Sequence, residues 1–151
     1  MGKETVLDKF YVVLDNLQND DNLLKLKDFR QHRVTTRFDH SRNVAICSYK
    51  ISKRLRLNVD ESALARGAML HDFFMYDTKG GDVSAYRHSF KHAETALSNA
   101  VTLYALSSVE KNIIYSHMWP LNITHFPKSK EAALVCMADK YCAIKEFFGK
   151  K

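Results

Sequence analysis

Apolar residues recur at helical spacing along nearly the whole chain. From about Glu4 to Gln18, the residues Val6, Phe10, Val13, Leu14 and Leu17 fall on one stripe. That spacing is the mark of a helix with one face turned to a core. Asn19-Asp20-Asp21 breaks it and supplies a cap for a short helix from about Asn22 to Phe29. A long helix is predicted from His40 to about Leu55, with Val44, Cys47, Ile51 and Leu55 as its apolar stripe. Asn58-Val59-Asp60 reads as turn and cap before a helix from Glu61 to Leu70. The clearest loop is Thr78-Lys79-Gly80-Gly81-Asp82. Helix resumes near His88 and runs to about Tyr104. Ser107-Ser108-Val109-Glu110 has the form of a capping box and opens a helix to about His117. Trp119-Pro120 ends it, because proline disfavours helix at the residue before it. A loop over 122–127 leads to a last helix from about Ser129 to Phe147.

Alternating strand-like runs are missing, so the expectation is an all-α helical bundle. Five glycines and two prolines leave no linker or low-complexity tract, and 151 residues suit one domain. With 46% hydrophobic residues the chain has enough apolar surface for a core. No run approaches the ~18 apolar residues of a membrane span, so no membrane partner is expected. Met1-Gly2 is a poor myristoylation signal, because position six is Val6 rather than Ser or Thr. The three cysteines, Cys47, Cys136 and Cys142, include no CxxC pair and stand in apolar helical contexts. They read as buried free thiols, which suits a reducing cytoplasmic setting.

The net charge of +6 favours an acidic partner, such as nucleic acid, a membrane surface or a phosphorylated small molecule. Lys50, Lys53, Arg54 and Arg56 gather at a helix end, where cations complement the helix dipole, and read as a solvated cluster. No aromatic-basic motif marks a nucleic-acid surface.

Chemistry concentrates in His40, the pair His71-Asp72, His92, His117 and Asp139. The pair lies within Ala68-Met69-Leu70-His71-Asp72-Phe73-Phe74. Two ionisable groups in such an apolar run are costly to bury without a partner. A divalent metal is a partner that imidazole and carboxylate both ligate well. Apart from the adjacent pair, these residues stand on separate predicted helices, so only tertiary packing can assemble them.

The order His…His-Asp…His…His…Asp on a helical chain resembles the HD superfamily of metal-dependent phosphohydrolases. The likeness runs from Arg37 to Phe148, which makes about 37–148 the core and 1–36 helices packed on it. It is carried by Arg37-Phe38-Asp39-His40-Ser41, Leu70-His71-Asp72-Phe73-Phe74-Met75-Tyr76-Asp77, His117-Met118-Trp119-Pro120-Leu121 and Ala138-Asp139-Lys140-Tyr141-Cys142. The resemblance implies a central metal site in which His40, His71, Asp72 and Asp139 hold a first ion. It also implies that His92 and His117 hold a second, with Asp72 bridging. The chain departs from many two-metal members just after the pair, where they read His-Asp-Ile-Gly and Phe73-Phe74 stand here.

The implied activity is hydrolysis of a phosphoester of a small phosphorylated molecule, with nucleotides among the candidates, by metal-activated hydroxide. One or two divalent ions are implied, Mn, Fe, Co, Ni or Mg, and the histidines argue against Mg as the tight occupant. Asp72 and Arg37 are the expected catalytic groups. Arg37, His88 and Lys140 are the expected contacts to the substrate. A di-iron oxygenase and a non-catalytic sensor of a phosphorylated ligand remain as alternatives. Asp77 reads as a turn cap, His125 as a loop residue near the cleft mouth, and Trp119 and Phe126 as core packing.

Overall fold

Five helices start where the sequence supplies an acceptor for their unpaired first amides. In the computed structural model, which describes residues 8–32, 34–75 and 85–149 apart from the side chains of 32 and 85–90, α1 spans Lys9–Gln18 and α2 spans Asp21–Leu24. Asp20 caps α2, accepting from the amides of Asn22 at 2.8 Å and Leu23 at 3.2 Å. A 3-10 turn, Lys25–Asp28, continues it. Next come two short antiparallel strands, β1 at Arg30–His32 and β2 at Thr35–Thr36. Then follow α3 (Arg37–Arg54), α4 (Glu61–Leu70), α5 (Ala85–Leu103), α6 (Ser108–Ser116) and α7 (Lys130–Phe148). Asp60 caps α4, Ser107 caps α6 in a capping box with Glu110, and Ser129 caps α7. Each such cap contributes about 1 kcal/mol.

The architecture is all-α, as the periodicity predicts, with two local corrections. The β1–β2 hairpin is absent from the sequence reading because strands of three and two residues are too short to show an alternation. The long helix starts at Arg37 rather than His40. Thr36 and Asp39 form a reciprocal capping box that the sequence reading passed over, with the Asp39 amide donating to Thr36 Oγ1 at 3.1 Å. His40 therefore sits one turn inside α3, on its buried face.

The buried face of α3 is the predicted one only in part, since it keeps Val44 but turns away from the later members of the stripe. Leu55 is 59% exposed, and Cys47 and Ile51 are half-buried. The inner face is made of Ser41, Val44, Ala45, Ser48, Tyr49 and Ser52. Ser48 and Ser52 are tolerable inside because their hydroxyls bond their own helix: Ser48 donates to the Val44 carbonyl at 2.6 Å and Ser52 to that of Tyr49 at 2.6 Å. Their small size lets α3 lie close against α4.

Helix α4 is the hub. Ala63, Leu64, Ala65, Gly67, Ala68, Met69 and Leu70 are all buried, so it is apolar on every side. It packs against α1, α3, α6 and α7. Phe10, Leu14 and Leu17 of α1 belong to the same core as Leu64, Ile113 and Val135. A hub surrounded on all sides delivers whatever follows its last turn to the middle of the molecule, and His71-Asp72 follows it.

Gly67 sets how near α6 comes. A Cβ at this position meets Ile113 Cδ1 at 2.6 Å, Cγ2 at 2.8 Å and Cβ at 2.9 Å. Three atoms of one side chain cannot all rotate clear. Gly67→Ala is expected to cost about 1–3 kcal/mol through overpacking, despite the better helix propensity of alanine. Thermal unfolding followed by circular dichroism checks this, and an unchanged or raised midpoint would contradict the tight α4–α6 contact. No helix among the described residues is long and apolar enough to cross a membrane.

Candidate metal centre

Five helices bring the site together. His71 closes α4 and His117 closes α6, each at the helix C-cap. In both, ring Nδ1 lies against a carbonyl one turn back: Ala68 O at 2.6 Å from His71 and Ile114 O at 2.7 Å from His117. A carbonyl oxygen only accepts, so each Nδ1 carries the hydrogen and each Nε2 presents a lone pair to the interior. His40 comes from the first turns of α3, His92 from α5 and Asp139 from the middle of α7.

The predicted residues converge. His40, His71, Asp72 and Asp139 form one group of potential ligands, and Asp72, His92 and His117 form another. In the first, His40 Nε2 lies 2.9 Å from Asp139 Oδ1 and 3.7 Å from Asp72 Oδ2. His71 Nε2 lies 3.3 Å from Asp72 Oδ2 and 3.4 Å from Asp139 Oδ1. In the second, the Nε2 atoms of His92 and His117 are 2.8 Å apart, and each stands 3.3 Å from Asp72 Oδ1. Ligands about 2.1 Å from a common ion stand about 3.0 Å apart at right angles and about 3.4 Å apart at the tetrahedral angle. The observed separations fall around those values.

Fit to a metal can be tested on the polar atoms themselves. His71 Nε2 and Asp72 Oδ1 are fully buried and have no hydrogen-bond partner. A buried polar atom left unpaired costs about 1–3 kcal/mol. Here a lone pair faces carboxylate oxygens, and a carboxylate oxygen faces two imidazole nitrogens. A cation between them satisfies every one of these atoms. The donor set, four imidazoles and two carboxylates, suits a divalent transition ion.

The electrostatics point the same way. Burial lowers the His71 pKa, but the Asp72 and Asp139 carboxylates beside its ring outweigh it and raise it well above the ordinary value. His40 is likewise lowered by burial, yet Asp139, Glu146 and Asp72 lift it to about 9. Burial raises Asp72 and Asp139, and the surrounding imidazoles override this and hold both well below the usual carboxylate range. His117 is lowered, first by burial and then by the charges of His92 and His71, against the pull of Asp72. The site demands positive charge between its donors, and a proton supplies it when nothing else does.

Two supporting residues lay beyond the sequence reading. Glu146 Oε2 accepts from His40 Nδ1 at 2.7 Å, and its Oε1 accepts from Asn43 at 3.2 Å. Its position seven residues after Asp139, two turns along the same helix face, was the available signal. Gln31, from β1, donates to Asp72 Oδ2 at 2.9 Å and accepts from Arg37 Nε at 3.1 Å. No local pattern marks it. Carboxylates and amides that orient metal ligands typically change affinity 10–100-fold when lost. Glu146→Gln is therefore expected to weaken manganese binding by about 10–100-fold. Calorimetric titration checks this, and an unchanged affinity would remove Glu146 from the centre.

Other expectations need correction. Arg37 is fully buried rather than facing a substrate. Its Nη1 donates to the Phe74 carbonyl at 2.7 Å and its guanidinium lies 3.8 Å over the Phe74 ring. It reaches the centre through Gln31. Phe73 and Phe74 fill the core, with the Phe74 ring 5.5 Å from that of His92. Lys140 donates to the His117 carbonyl at 3.0 Å and to the Cys136 carbonyl at 3.3 Å. It also lines a cavity of about 520 Å3 beside Asp139, walled by Met118, Pro120, Leu121 and Ala143. His125 pairs with the Tyr115 hydroxyl at 2.7 Å and stacks on that ring. Trp119 and Phe126, expected in the core, are 38% and 51% exposed. Cys136 and Cys142 are buried free thiols and Cys47 is half-buried. His88 stands on α5 with its side chain outside the described residues, and Asp77, Val6 and the loop over 78–82 lie outside them altogether.

The sequence model of the HD domain matches residues 37–144. The chain belongs to the HD domain family. No curated protein and no solved structure matches it. The HD match begins at Arg37, the first residue of α3, and ends within α7, so it spans all six converging residues. Gln31 and Glu146, which brace two of them, fall just outside it on either side.

Proposed function

We propose that this HD protein is a metal-dependent phosphohydrolase acting on a small phosphorylated molecule, with nucleotides the first class to test. The observation that carries the reading is the Asp72 carboxylate. Its Oδ2 faces His40 and His71, its Oδ1 faces His92 and His117, and so it is shared between two ligand groups. A divalent ion bound here supplies a Lewis acid and lowers the pKa of coordinated water from 15.7 toward ~7.

The chain's own residues prepare that chemistry. The carbonyls of Ala68 and Ile114 hold the rings of His71 and His117 with Nε2 inward. Gln31 fixes Asp72, Arg37 fixes Gln31, and Glu146 fixes His40. The phosphoryl group approaches over Asp139, which is half-buried where most of its companions are buried. The cavity beside Asp139 has apolar walls and the Lys140 ammonium, a setting for an anionic group on a small organic body. The N-terminal helix and the HD region act as one domain, because Phe10 and Leu14 of α1 share the core that carries α4.

The test is phosphate release from nucleotides and phosphorylated metabolites by protein loaded in turn with Mn, Fe, Co, Ni and Mg. Release that requires metal and disappears with chelator is expected. Turnover that requires dioxygen and shows a redox-active iron signal would replace this reading with the oxygenase.

A further inference from the structure

Outside the metal centre, a groove of about 830 Å3 lies between α3 and α7. It is where the apolar stripe predicted to face the core ends up. Ile46, Cys47 and Ile51 of α3 line it together with Tyr141 and Cys142 of α7. Three cations, Lys50, Arg54 and Lys145, stand on its walls. Lys50 and Arg54 are one turn apart on the same face of α3. All three are exposed, and none has an ion-pair or hydrogen-bond partner among the described residues. Their neighbour Lys53 differs, being paired with Glu61 at 3.4 Å.

The acid among the described lining residues is Glu146, and both its oxygens are engaged, by His40 and Asn43. It therefore does not neutralise the three cations. Unpaired positive charge beside a low-dielectric floor raises the local concentration of anions. The volume falls within the range of about 300–1,000 Å3 typical of small-molecule sites. A second copy of this chain is a poor occupant, since it brings a net charge of +6 to a positive wall.

We propose that the α3–α7 groove binds a free amphiphilic anion, a molecule with an apolar body and a phosphate, sulfonate or carboxylate head. The body lies on Ile46, Ile51 and Tyr141, and the head meets Lys50, Arg54 and Lys145. Glu146 belongs to both the groove wall and the bracing of His40, so the two sites touch through one carboxylate.

The experiment uses the full chain and two probes, anilinonaphthalene sulfonate by fluorescence and decyl phosphate, below its micelle concentration, by competition. Saturable binding below about 100 μM is expected, with displacement by decyl phosphate and none by decyltrimethylammonium. The double variant Lys50→Glu with Arg54→Glu, at exposed positions and checked for an unchanged melting curve, is expected to bind at least about tenfold more weakly. A second variant, Lys145→Glu, is expected to weaken binding in the same direction. Equal binding by wild type and double variant, or competition by the cationic amphiphile, overturns the assignment. Sedimentation with phosphatidylglycerol vesicles that decyl phosphate does not reverse overturns it as well, in favour of a membrane contact. None of these readouts depends on phosphate release, so the groove and the hydrolase reading fail separately.

Discussion

Asp72→Ala is expected to empty both halves of the metal centre and to bring hydrolysis down by more than about 10³-fold, to the level of the uncatalysed reaction. Asp72 is the one residue common to both ligand groups, so its loss removes an anionic donor from each. What remains on one side is His92 and His117, with their Nε2 atoms 2.8 Å apart and no carboxylate between them. On the other side Asp139 alone would balance an ion that His40 and His71 ligate. Asp72→Asn is the sharper form of the test, because it keeps the volume and the Gln31 neighbourhood while discarding the charge. Elemental analysis should find little metal in either variant, and far-ultraviolet circular dichroism should match the parent protein. Two ions per chain and full turnover in Asp72→Asn would remove the shared carboxylate from the mechanism.

The second large effect is expected from His92→Ala combined with His117→Ala, which should reduce bound metal from about two ions to about one. Burial, with the imidazoles of His71 and His92 beside it, lowers the His117 pKa, so its Nε2 is ready to ligate at neutral pH. The group around His71 keeps all four of its members in this double variant. Activity should fall by about 10²-fold or more, since only one ion would remain to supply Lewis-acid chemistry. Two buried imidazoles become two small cavities, so the milder His117→Gln is worth making alongside. An unchanged stoichiometry in both would assign His92 and His117 to hydrogen bonding around a single ion.

The helices were legible in the sequence because their apolar residues repeat at 3.6-residue spacing and their caps are Ser, Thr or Asp. His71-Asp72 was legible because two charged groups inside an apolar run demand an explanation. What stayed hidden has physical reasons. Ser41, Ala45, Ser48 and Ser52 stood outside the predicted apolar stripe, yet all four are small, and Ser48 and Ser52 bond their hydroxyls to their own helix, so α3 turns this face inward. The stripe Cys47–Ile51 is left at the edge of the core as a result. Arg37 read as a contact to the substrate, because nothing local announces that Gln31 and a backbone carbonyl at Phe74 will host its guanidinium. Gln31 meets Asp72 across 41 positions of sequence, from a strand three residues long.

The family boundary at Arg37 cuts between Gln31 and the oxygen it steadies. A fragment excised there would retain every imidazole and acid of the centre. It would also remove the Gln31 amide from both Asp72 and Arg37. The small hairpin ahead of the border is thus a splint for the ligands, and the segment matched to the family is shorter than the set of residues that steadies the centre.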